Sequence, residues 1–181
     1  AESLYKRSWH LLESALGPEH PDVATSIHNL ASLYRTQGQY TRAEPLYKRS
    51  LDLRERALGA SHRDVATSLN NLASLYQDQG QYAQAEPLCQ RSLDIREKAL
   101  GPSHPETAQS LNNLASLYED QGQHARAEQL YKRSLDLREN ALGPSHPDVA
   151  ASLNNVAALY LAQGQVAQAE PLIKRSLDIR E

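Results

Sequence analysis

Gln37-Gly38-Gln39-Tyr40 returns as Gln79-Gly80-Gln81-Tyr82, as Gln121-Gly122-Gln123-His124 and as Gln163-Gly164-Gln165-Val166, each time 42 residues on. Ala-Leu-Gly keeps the same beat, ending at Gly17, Gly59, Gly101 and Gly143. A fixed period of this size belongs to stacked arrays, in which each unit contacts only its neighbours and the stack is the stable object. Residues 1–16 align with 43–58, so the chain opens in the second half of a unit, on a helix without its partner. Units 17–58, 59–100, 101–142 and a shorter 143–181 follow, giving one array over 1–181 with about nine helices.

Composition narrows the partners. Hydrophobic residues at 40% suffice for a continuous core, while a net charge of −3 and no basic block argue against a nucleic-acid footprint. The single cysteine, Cys89, forms no disulfide within the chain, so nothing demands an oxidising compartment and an intracellular, cytoplasmic setting is the default. No run approaches the ~18 apolar residues of a membrane span. Without a methionine, even at position 1, the chain reads as a segment of a longer protein.

Within a unit, Val23, Ile27, Leu30, Ala31 and Tyr34 recur at steps of three and four, which predicts a helix over 22–36, helix A. His20-Pro21-Asp22 reads as its N-cap, first and second positions, because proline is pre-set for the first turn and an acid suits the positive end of the dipole. Arg63 breaks this pattern in the second unit. Gly38 ends helix A in a residue free to take positive φ. A second stripe, Tyr40, Ala43, Leu46, Tyr47, Leu51 and Leu58, makes helix B, and Glu44, Lys48 and Asp52 read as its solvated face. Pro45, Pro87 and Pro171 fall inside helix B at some energetic cost, whereas Gln129 occupies that place in the third unit.

Paired helices with Gly at the turn, Ala31 and Ala43 at the crossing and Tyr34, Tyr40 and Tyr47 filling gaps resemble the tetratricopeptide repeat. Ser50 departs from the usual alanine, and helix B runs on through Arg54 to Leu58, making the unit longer than the common form of about 34 residues. This extension resembles the long-helix subclass of kinesin light chains and bacterial arrays. The resemblance implies an all-α, right-handed superhelix, an α-solenoid with helix A lining a concave groove. It also implies a scaffold for protein partners, holding an extended peptide or partner segment, with no enzymatic activity and no cofactor.

Under that resemblance, the groove residues are those helix A leaves outside its stripe. Asn29, Asn71, Asn113 and Asn155 recur, and an asparagine amide matches the donor and acceptor of a peptide unit. They form either a ladder for a bound backbone or bonds between neighbouring helices. His28, Asn70, Asn112 and Asn154, beside them, are expected to face the groove more squarely, with Ser32, Ser74, Ser116 and Ala158 leaving room for a ligand backbone. Variable positions carry specificity: Arg35, Gln77, Glu119 and Leu161, followed by Thr36, Asp78, Asp120 and Ala162. Asp78, Glu119 and Asp120 suggest a partner with a basic centre, an apolar residue lying against Leu161; the other reading is that the acids only solvate the surface.

Other signals are structural. His20, His62, His104 and His146 lie one per unit, too far apart for one metal. Cys89 stands where Tyr47 and Tyr131 do, a core position, and Trp9 replaces Leu51. Leu12 stands where Arg54 does and should make the outside of the first helix more apolar. With Trp9, Leu11 and Leu12 in the first helix and Val166 and Ile173 in the last unit, end-to-end self-association is the competing function, a spacer or self-assembling array without a groove ligand.

Overall fold

The computed structural model describes residues 2–181; Ala1 lies outside the described residues. These contain nine α-helices and no strand: α1 (Glu2–Leu16), α2 (Pro21–Thr36), α3 (Tyr40–Leu58), α4 (Arg63–Asp78), α5 (Tyr82–Leu100), α6 (Pro105–Asp120), α7 (His124–Leu142), α8 (Pro147–Ala162) and α9 (Val166–Arg180). The chain divides inside α5 into two compact units, one ending at Ile95 and the other beginning at Arg96. No described helix is long and apolar enough to cross a membrane.

Local chemistry sets the helix ends. The Asp22 N–H donates to His20 Nδ1 at 3.2 Å, Pro21 follows the cap, and His62, His104 and His146 repeat the arrangement. His62 caps α4 although Arg63 stands where the copies have proline. At the other end Gly38 has φ +69°, its N–H bonds the Arg35 carbonyl at 2.9 Å and the Gln39 N–H reaches back to Tyr34 O at 2.8 Å. That paired closure satisfies carbonyls that a helix end otherwise leaves open. Helix B lacks a side-chain cap at Gln39, so its start depends on packing rather than local bonds.

In the first unit Val23, Ala24, Ile27 and Leu53 form one cluster, with Trp9, Leu12 and Leu46 against it, and Val65, Ala66, Leu69 and Ile95 form the next, covered by Leu51 and Leu88. In the second unit Ala115, Ala127, Tyr131, Val156, Ala157, Tyr160 and Ala169 pack together, and Leu135 meets Val149 and Leu153. Cys89 is buried in a core position, which pushes its thiol up to about 12. Trp9 packs against the α2 cluster, as its standing in the place of Leu51 suggests, but Leu12 packs there too and so does not make the outside of α1 more apolar as expected; Leu4 and Leu11, 69% and 61% exposed, are outward residues of that helix.

Two polar joints recur within the packing. Ser50, Ser92, Ser134 and Ser176 are buried, and each hydroxyl donates to a carbonyl of the paired helix A, at Ala24, Ala66, Ala108 and Ala150, over 2.7–3.0 Å. Arg54, Arg96 and Arg138 are also buried. Arg54 Nη1 donates to Ser68 Oγ at 2.7 Å and Nη2 to Thr25 Oγ1 at 3.3 Å, and Arg138 repeats this with Ser152 at 2.7 Å and Gln109 at 3.0 Å. One guanidinium thereby ties a helix B to the helix A on either side. The fork of donors suits this, because a buried cation needs several acceptors to offset desolvation.

Candidate protein-interaction surface

In the first unit the outer arc of α2 exposes Thr25, Asn29 and Thr36 and leaves His28, Ser32 and Arg35 half-buried. Its neighbour α4 reaches across. Asn71 Nδ2 donates to the Thr67 carbonyl at 2.9 Å and lies 3.3 Å from His28 Nε2. Arg35 Nε donates to Asp78 Oδ2 at 2.6 Å and Nη2 to Oδ1 at 3.3 Å, a two-point pair between half-buried side chains. Gln77, beside Asp78, is half-buried.

The second unit uses the same positions. Asn155 Nδ2 donates to Asn112 Oδ1 at 2.8 Å, and Asn113 Oδ1 accepts from Gln109 Nε2 at 2.9 Å. Tyr131 OH donates to Glu119 Oε2 at 2.8 Å; burial and then the carboxylate push the phenol's pKa up. Asn154 is half-buried, Asp120 is exposed, and Leu161 stands 46% exposed.

These contacts divide the sequence-based expectations. Asn71 and Asn155 bond the preceding helix A, the arrangement set against a peptide ladder above, and they stay half-exposed while doing so. His28 and Asn70 do not face outward more squarely than their neighbours. Asn70 is 6% exposed and His28 is packed edge-on against Tyr47, ring centroids 5.3 Å apart, whereas Asn29 is exposed. One step along a helix turns a side chain by about 100°, enough to move it from the open arc to the helix–helix seam. Burial, with Arg54 as the lesser cause, drives the His28 imidazole down to about 4, and its Nδ1 has no hydrogen-bond partner.

Sequence reasoning missed the charged sets on helix B. Arg49–Glu13 and Arg91–Glu55 join successive B helices in the first unit, and Arg133–Glu97 and Arg175–Glu139 do so in the second. Glu44 and Lys48 do more than solvate a face, since Tyr76 OH donates to the same Glu44 oxygen that Lys48 binds. Two clefts were also unforeseen: one between α1 and α2 lined by Tyr5, Ser8, Leu12, Thr25 and Asn29, the other bounded by Leu161, Val166, Ile173 and Leu177.

The tetratricopeptide repeat family matches residues 64–140 and 111–181, and a second form of the same family matches 23–64. The chain belongs to the tetratricopeptide repeat family. Its fold is accordingly an all-α solenoid of helix pairs, a scaffold for interaction between proteins. Among solved structures, this tetratricopeptide repeat chain is similar to BtubC (BKLC) of P. vanneervenii at 28% identity and TM-score 0.82, over 99% of this chain and 72% of that one. It is also similar to a kinesin light chain-like protein of Podosopora anserina with nearly identical repeats, at 28% identity and TM-score 0.77, over 99% and 85%. MamA, at 16% identity and TM-score 0.62 over 99% and 86%, shares the fold alone. Comparison with curated protein sequences gives no match.

Proposed function

We propose that the chain binds an extended segment of a partner protein along the open arc of its A helices. The observation that carries this reading is the asparagine series. Asn29 is exposed, and Asn71, Asn113 and Asn155 are half-exposed with at least one amide atom of each fixed by a bond within the protein. Amides oriented beforehand cost less entropy to engage than mobile ones. Ser32, Ser74 and Ser116, all half-buried and small, leave the helix surface low enough for a backbone to approach.

Charge sets the partner's preference more narrowly than the sequence alone suggests. Arg35 offsets Asp78, so a basic partner residue meets little free charge in the first unit. In the second, Glu119 keeps one carboxylate oxygen beyond its Tyr131 bond, so the basic preference belongs there, with an apolar neighbour against Leu161. Peptide-display selection against the chain, repeated with Asn71, Asn113 and Asn155 changed to alanine, tests the reading. Enriched peptides that bind the triple variant equally well would refute the asparagine contact, and a selection without enrichment of Lys or Arg would refute the basic preference.

A further inference from the structure

Glu13, Glu44, Glu55, Glu97, Glu128 and Glu139 are half-buried, and each has a lysine or arginine nitrogen within 2.7 Å. Glu119 is half-buried as well and differs from them. Its Oε2 accepts from Tyr131 OH at 2.8 Å, and among the described residues no cation pairs with it. A carboxylate partly withdrawn from water and held by one hydroxyl has lost hydration that a cation would offset.

The neighbouring helix accounts for the difference. In the first unit His28 of α2 lies beside Asn71 of α4, and two turns further along both helices Arg35 meets Asp78. In the second unit Asn112 of α6 accepts from Asn155 of α8 in the same register, so the residue that stands across from Glu119, two turns on, is Ala162. The contact that neutralises Arg35 therefore has no counterpart at Glu119. Ala162 is exposed, and so are Thr36, Asp78 and Asp120 at the same place in their helices, so the exposure belongs to the position and not to the last repeat.

We infer that Ala162 is a specificity-determining residue: by bringing no charge of its own it leaves Glu119 Oε1 to a lysine or arginine side chain of the partner, whose stem lies over the Ala158 and Ala162 methyls. Asp78 does the reverse in the first unit, closing Arg35 to an acidic partner residue. Selectivity at each step of the arc is then set by a pair of residues on successive A helices, one offering a charge and the other either cancelling it or leaving it open. The inference rests on the reading that a partner segment lies along the A helices, and it adds which residue of this chain decides the charge selected there.

Peptide-display selection against the wild-type chain, Ala162→Arg, Glu119→Gln and Asp78→Ala tests it. Lys and Arg should be enriched against the wild type and lose that enrichment against both Ala162→Arg, which supplies an internal cation, and Glu119→Gln, which removes the charge but keeps an acceptor for Tyr131. Asp78→Ala, which frees Arg35, should add enrichment of Asp and Glu. For one selected peptide followed by fluorescence anisotropy, replacing its basic residue with alanine should weaken binding to the wild type at least about threefold and leave binding to Ala162→Arg unchanged. Ala162 lies exposed at the end of α8, where a cation suits the helix dipole, so Ala162→Arg should melt no lower than the wild type by circular dichroism. Enrichment of Lys and Arg that survives Glu119→Gln or Ala162→Arg overturns the inference. Peptides enriched without Lys or Arg overturn it too, while leaving the asparagine contact standing; no enrichment of any peptide against any of the four forms overturns the groove reading itself, and this inference with it.

Discussion

Ser26 shows what a helix A serine does without an arginine above it. Leu12 stands where Arg54 stands one repeat later, and the Ser26 hydroxyl turns back to the Val23 carbonyl at 2.9 Å; Ser68 instead accepts from Arg54. An apolar residue at that place is therefore a workable alternative, whereas an empty one is not. Arg54→Leu should cost clearly less stability than Arg54→Ala, which leaves a cavity as well as unpaired groups and should cost about 2 kcal/mol or more. Urea unfolding of the two variants checks the order. His28 gives a pH signature. Its folded pKa, about 4, lies below the ordinary 6.5, so the unfolded chain takes up the proton first as pH falls. The stabilising contribution of the neutral ring is complete above pH ~6.5 and is lost progressively toward pH ~4. Melting temperature should drop more steeply across that window in the wild type than in His28→Asn, which installs the residue found in the other copies; parallel slopes would exclude His28 as the cause.

Among the elements, α3 and α7 form a natural comparison, because both run 19 residues although α3 contains Pro45 where α7 has Gln129. Proline six positions into a helix removes a backbone bond and crowds the preceding turn, at a cost that reaches about 3 kcal/mol in helix interiors. Pro45 is exposed, so Pro45→Gln disturbs no packing and should raise the melting temperature; a decrease would show that the proline is stabilising where it stands. Gly38→Ala should do the opposite, since φ +69° costs a residue with a Cβ about 1–2 kcal/mol although the space around it is open. The elements were legible in the sequence because spacing, caps and turn glycines all report on residues a few places apart. The candidate site was less so. Asn71 meets His28 and Asn155 meets Asn112 across two helices, and nothing in the order of residues along one helix reveals the rotation that buries Asn70 and exposes Asn29. Arg54 did leave a trace, three residues after Leu51 and four before Leu58, on the apolar stripe itself, where a charge signals a buried joint.

For the molecule as a whole, stability rests on repeated neighbour-to-neighbour contacts, and most of its many ion pairs are exposed. Surface pairs such as Lys48–Glu44 and Arg56–Asp52 contribute about 0–1 kcal/mol each and are screened by salt. Raising ionic strength should therefore shift the urea midpoint little, whereas Ser50→Ala, which removes one buried hydroxyl bond, should lower stability by about 1 kcal/mol with the same slope. A large salt effect would mean that the Arg–Glu links between B helices hold more of the structure together than their exposure allows. The serine-to-carbonyl bond and the arginine fork carry a consequence for descent. Wherever they recur, the same few atoms meet the same few atoms, so copying or losing one full period of the gene leaves the remaining seams chemically as they were. Such a protein can lengthen or shorten in a single genetic event without having to rediscover how to pack.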